Sequence, residues 1–271
     1  MRKFKKNLSI RLNMEWVFSL VPERRPVLDD PILIEGLPGI GNTGKIAVDF
    51  LVEKMKAKKL YNIFSYYLPH SVFVNEENLV ELPKIEIYYK KSQKGRDILF
   101  LVGDTQPVDE PSCYAFCRKV LSIASEYGCK EIITLGGIGL KELNDDPRLY
   151  ITGTSRDIIK KYSTKNVITD LYGIVGPIVG VTGILVALSR LKGLEGVTIL
   201  GETLAHPMFV GIKTSKTILS YLSEVIGFRV SLKELDSEIE HLEKELKAVG
   251  ELDEIQKNNH ENKTSFSSYI G

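Results

Sequence analysis

Pro31-Ile-Leu-Ile-Glu35, followed at once by Gly36-Leu-Pro-Gly39-Ile-Gly41-Asn-Thr-Gly44, is the stretch on which the fold turns. The first five residues are apolar enough for a strand covered on both faces and too few for a helix. The glycines that follow let the chain turn sharply, and residues 45–58 then place apolar side chains at helical spacing. Strand, glycine loop and helix make one β-loop-α unit.

The same order recurs on the C-terminal side. Residues 97–103 (DILFLVG) are nearly all apolar, as a strand buried on both faces should be. A helix is predicted over 111–127, a strand over 131–135, a glycine turn at Gly136 to Gly139, a strand over 150–153 and a helix over 155–162. A longer helix over 179–191, a strand over 196–201 and a helix over 214–226 complete the series. Residues 60–90 differ: Tyr61, Ile63 and Tyr67, then Val72 and Val74, then Ile85, Ile87 and Tyr89 alternate with polar residues, which reads as partly exposed hairpin strands. Repeated β-then-α order with apolar strands predicts an α/β fold, a three-layer α/β/α sandwich with a mostly parallel central sheet, over residues 15–228. Residues 1–14 form a basic leader whose apolar residues never run long enough for a signal peptide. The apolar run 173–191 is interrupted by Gly173, Gly176, Pro177, Gly180 and Gly183, so it reads as a buried glycine-rich loop entering a core helix and not as a membrane span.

The chain changes character after residue 230. Leu232, Leu235, Ile239, Leu242, Leu246 and Val249 alternate spacings of three and four with Lys and Glu between them, a heptad seam over a helical arm at 231–256. Ser231 is a candidate N-cap, with Glu234 in capping-box position. The narrow apolar stripe suits a slender helical partner in a coiled coil, while a single amphipathic helix on its own domain is the alternative. Residues 257–271 are a polar, flexible tail in which Phe266, Tyr269 and Ile270, next to the terminal Gly271, stand out as docking anchors.

Composition excludes several functions. With 36 Lys and Arg against 35 Asp and Glu, the net charge of +1 provides no field to draw nucleic acid or an anionic membrane. Cys113, Cys117 and Cys129 are an odd number without a pairing framework, which fits a reducing cytoplasm. Cys113 and Cys117 share a helix face but lack further ligands, and His70, His206, His241 and His260 show no metal spacing, so no metal and no cofactor are expected. Gly39, Gly41, Gly44 and Lys45 match the phosphate-loop spacing G-x-x-x-x-G-K. Ile46, however, stands where Mg²⁺ needs a hydroxyl. What remains is an anion site at a helix N-terminus. The acids Glu35, Asp104, Asp109 and Glu202 fall near the carboxyl ends of predicted strands, where α/β folds collect ligands. A nucleotide- or nucleoside-binding enzyme using residues 36–45 is therefore the alternative to a non-enzymatic binding protein.

Taken together, G-x-P-G-x-G-x-x-G at Gly36 to Gly44, Gly103-Asp104, Leu135-Gly-Gly-Ile-Gly139, Gly183 and Leu200-Gly-Glu-Thr203 resemble the proteasome assembly chaperone 2 family, most of all its archaeal members. The resemblance covers residues 15–228. It implies a sandwich related in shape to purine nucleoside phosphorylases but without their catalytic residues. It also implies a homo-oligomer with projecting C-terminal segments and an ATP-independent role, with the α-subunits of the 20S proteasome or another chaperone-like protein as partners. Partners of that particle end in a hydrophobic-Tyr-any tripeptide. Here Tyr269 is third from the end, one position out of register.

Overall fold

The computed structural model describes residues 16–93, 95–142, 146–173, 176–206, 209–233 and 235–237. The chain separates between Val230 and Ser231 into two units. In the first, the strands are β1 (Val17–Leu20), β2 (Ile32–Gly36), β3 (Lys58–Phe64), β4 (Phe73–Val74), β5 (Val80–Glu81), β6 (Ile85–Lys90), β7 (Ile98–Gly103), β8 (Glu131–Leu140), β9 (Leu149–Gly153), β10 (Val167–Ile168) and β11 (Glu195–Leu204). The helices are α1 (Thr43–Lys54), α2 (Glu110–Glu126), α3 (Arg156–Tyr162), α4 (Val181–Ser189) and α5 (Ile212–Ile226).

Nine strands form one sheet in the order β1-β3-β6-β7-β2-β8-β11-β9-β10, and β4 and β5 pair apart from it. The expected mostly parallel sheet is parallel at its centre, where β7, β2, β8 and β11 run together, and again at one edge, between β9 and β10. On one flank β1, β3, β6 and β7 are antiparallel, and on the other β9 runs against β11. Connection length is the reason at the first flank: residues 91–97 are too few for a crossover, so β6 and β7 pair antiparallel, whereas β7 and β8, joined through α2, run the same way.

The strand period sorts β2 between two helical layers. Ile32, Ile34 and Gly36 face one way, and a Cβ on Gly36 would collide with Gly44 and Val48 of α1. Leu33, Glu35 and Leu37 face the other way, where Leu33 and Leu37 join a core with Phe116, Val120, Val181 and Leu185 of α2 and α4. Helices α1 and α5 pack together on the first face, and α2 and α4 on the second. Asp109 caps α2, its Oδ1 accepting from Ser112 N at 2.9 Å, with Pro111 in the first turn. Asp109→Ala should cost about 1 kcal/mol in urea unfolding, and an unchanged midpoint would remove the cap from this account.

Several expected boundaries move. Helix α1 stops at Lys54 and Lys58 already belongs to β3, because Lys56 takes a left-handed φ of +49° that ends the helix. Gly136 to Gly139 is not a turn, and the strand expected to end at Gly201 runs on to Leu204: β8 and β11 pair over ten residues each. Among the described residues of 173–180, Gly173, Gly176, Pro177 and Val179 are exposed, not buried, and only Val181–Ser189 forms the helix. β1 has no counterpart in the sequence reading. It is held as an edge strand on β3, beside the buried Trp16.

Among the described residues, no helix is long and apolar enough to cross a membrane. In the second unit, Asp236 N donates to Leu232 O at 3.3 Å, Leu235 is buried and Leu232 half-buried. Ile239, Leu242, Leu246, Val249, Phe266, Tyr269, Ile270 and Gly271 lie outside the described residues.

Candidate functional site

The glycine loop sits at the carboxyl end of β2, beside β8. Gly41 and Asn42 take positive φ values of +63° and +51°, a conformation glycine adopts at no steric cost. A Cβ on Gly44 would run into the Leu135 carbonyl, and one on Gly137 into the Ile40 carbonyl. These glycines therefore bring the start of α1 and its loop onto β8. Gly211 N donates to Gly41 O at 2.8 Å, and Ser215 Oγ donates to Thr43 O at 2.9 Å, tying the start of α5 to the same loop.

Lys45, the residue that would meet a phosphate, is engaged elsewhere. Its Nζ lies 2.8 Å from Asp49 Oδ2 and 3.5 Å from Asp104 Oδ1. Two carboxylates there oppose an incoming anion. Burial pushes the Asp49 carboxyl above its ordinary range, although the Lys45 ammonium pulls it the other way. These groups line a cavity of about 470 Å³ that also takes in Glu53, Lys84, Glu86 and Tyr88. There Lys59 Nζ pairs with Glu86 at 2.5 Å, and the Tyr88 hydroxyl donates to Glu86 at 2.7 Å.

The four acids at the strand ends are each held by different groups. Glu35 is fully buried between β2 and α4; it accepts from Leu37 N at 2.9 Å and from Thr182 Oγ1 at 3.3 Å. Desolvation pushes its carboxyl up to about 8, so it carries a proton at neutral pH. Glu202 is buried but ionically paired: Arg148 Nε lies 2.8 Å and Nη2 2.6 Å from Oε1, and the Tyr150 hydroxyl donates at 2.9 Å. Asp109 is the α2 cap, and Asp104 accepts from Lys84 N at 3.3 Å. Sequence reasoning missed Arg148, Thr182 and Asp49. Asp49 had a local signal, four residues after Lys45 on a helix; Arg148 is brought in across 54 residues by the pairing of β9 with β11, and Thr182 across 147 residues by the start of α4.

Cys113 and Cys117 are free and buried one turn apart on α2. A hydrogen bond between them lowers the Cys113 thiol and raises that of Cys117, which burial raises further. Cys113 also lines an apolar depression of about 300 Å³ with Val108, Tyr114, Val179 and Ile184. His70 and His206 are exposed loop residues. Among the described residues, no three His, Cys, Asp or Glu gather as a metal site would require. The arrangement gives charge pairs and caps in place of a nucleophile with its base.

Comparison with known proteins gives this arrangement a context. The crystal structure of PbaB from Pyrococcus furiosus, an archaeal proteasome activator, is 34% identical, with 88% of this chain and 99% of that chain covered and a TM-score of 0.81. PbaA of the same organism, an archaeal homolog of proteasome-assembly chaperone, shares the fold at 21% identity, with 91% and 96% covered and a TM-score of 0.71. An uncharacterized protein of Methanocaldococcus jannaschii, MJ1210, is 27% identical over 227 residues, 84% of this chain and 86% of that protein. Residues 33–249, well over half of the chain, match the PAC2 family model, and the chain belongs to the PAC2 family.

Proposed function

We propose that the protein is a non-enzymatic, ATP-independent proteasome-binding chaperone or activator, working as a homo-oligomer whose heptad arm and tail reach the α-subunits of the 20S particle. The observation that carries this reading is the likeness to an archaeal proteasome activator along nearly the whole of both chains. The site geometry supports it from the other side. Lys45 is claimed by Asp49 and Asp104, Glu202 by Arg148 and Tyr150, and Glu35 is buried and protonated. The loop that imitates a phosphate loop acts as a packing device between α1, α5 and β8. Kinship in shape with nucleoside phosphorylases and a coiled-coil arm from Leu232 to Val249 belong to the same reading.

Binding of purified full-length protein to archaeal 20S particles, measured by biolayer interferometry, should be lost on removing residues 231–271 and strongly reduced on removing 257–271. Full affinity in both truncations would sink the arm-and-tail model. ATP or GTP at millimolar concentration should leave Tm unmoved. A nucleotide enzyme would instead gain about 2.7 kcal/mol at a hundredfold excess over Kd.

A further inference from the structure

Between β3 and β6 the chain leaves the main sheet and forms a hairpin of its own. Phe73 is opposite Glu81 and Val74 opposite Val80, and neither strand joins the nine-stranded sheet. Its turn is firmly built. Asn75 Oδ1 accepts from Glu77 N at 3.0 Å and from Leu79 N at 2.9 Å, and Asn75 Nδ2 donates to Glu81 Oε1 at 3.0 Å. Asn75 N donates to Leu79 O at 3.0 Å, and Asn78 takes the left-handed φ of +59° that closes the loop.

This ordered turn presents Val72, Phe73, Val74, Leu79, Val80 and Leu82 to solvent, with Val74 at 64% and Val80 at 72% exposure. A two-stranded hairpin that covers neither face is marginal in water, and a contiguous exposed apolar patch marks a contact with another macromolecule. Charge indicates which kind. Residues 65–84 hold Glu76, Glu77 and Glu81 against Lys84 alone, a net of −2 from three acids and one base, and Lys84 is already paired with Glu81. Two such hairpins face to face would set acid against acid, which disfavours a second copy as the occupant. An apolar depression ringed by Lys or Arg would cover the valines and neutralise Glu76 and Glu77 together.

We propose that the β4–β5 hairpin is a docking element by which the folded body grips a partner protein presenting an apolar depression with a basic rim. The identity of that partner rests on the proteasome reading above, and the contact is separate from the arm and tail. The test uses full-length protein and purified archaeal 20S particles, comparing wild type with V74S/V80S and with E76K/E77K. All four side chains are exposed, so unchanged Tm is expected and is checked first. V74S/V80S should weaken binding about tenfold or more, and E76K/E77K should weaken it and flatten its dependence on salt. If wild type binds and both variants bind equally well, the hairpin proposal falls and the proteasome reading stands. Failure of wild type to bind overturns both. A variant whose sedimentation shows a changed oligomeric state would make the hairpin a contact between copies, and that too overturns the proposal.

Discussion

Glu35→Gln is expected to remove a loss of stability that the wild type undergoes between about pH 4.5 and about 8. The wild-type carboxyl is fully buried against Thr182 and the Leu37 amide, and desolvation raises it from its ordinary 4.5 to about 8. A group raised in the folded state contributes stability that is complete below its unfolded value. That stability is lost as pH climbs, because the unfolded chain gives up the proton first. The loss runs at up to about 1.4 kcal/mol per pH unit across the window and stops above about 8. Glutamine keeps the carbonyl that accepts from Leu37 and has no charge to desolvate. Other groups titrate in both proteins, including Asp49, raised by burial, and Glu131, held down by Lys161 and Tyr162, so the difference between the two curves isolates Glu35. Urea midpoints across this range should converge at acid pH and separate above it. Parallel curves would mean that Glu35 is ionised in the folded protein.

Phe116→Ala should cost about 3–5 kcal/mol, the range for removing a fully buried aromatic ring. Phe116 has no exposed surface; the Trp16 ring lies 4.6 Å away at a tilt and Phe18 6.2 Å away in a stack. It therefore joins α2 to the edge of the sheet formed by β1. Trp16 is the sole tryptophan, and its Nε1 donates to Ser112 O at 3.0 Å, so its fluorescence reports on this contact. Guanidinium unfolding should show the loss, and the folded variant should emit at longer wavelength as the indole meets water. A cost below about 1 kcal/mol with unchanged emission would mean that the ring is not a structural link between β1 and α2.

The local features that sequence reading captured are those in which one short stretch contains its own physics. Ile32 to Ile34 and Ile98 to Val102 are apolar on both sides of the pleat and lie in the centre of the sheet. The helix expected over 155–162 forms over Arg156–Tyr162, and Ser155 is its cap, its Oγ accepting from Ile158 N at 3.2 Å. The family was legible for a related reason: the glycines at 36, 44 and 137 sit where helix, loop and strand touch, so a side chain at any of them would collide.

The misreadings occur where a residue's role depends on a distant partner. Gly136 to Gly139 has turn composition, yet ten residues of β11 pair alongside it and draw it into a strand. Lys45 has phosphate-loop spacing, but Asp104, 59 residues away, turns it into one member of a charge cluster.

By itself, then, the sequence determined the order of the central strands and the helices, the glycine loop and the family, because apolar period, caps and glycine positions act within a few residues. Only the tertiary structure decided that the sheet is antiparallel on its flanks, that Glu35 is neutral while Glu202 is ion-paired, and that the β4–β5 hairpin stands in solvent. Those outcomes depend on which distant surfaces meet and which are left uncovered, and burial and Coulomb interactions across the fold carry no trace in local spacing.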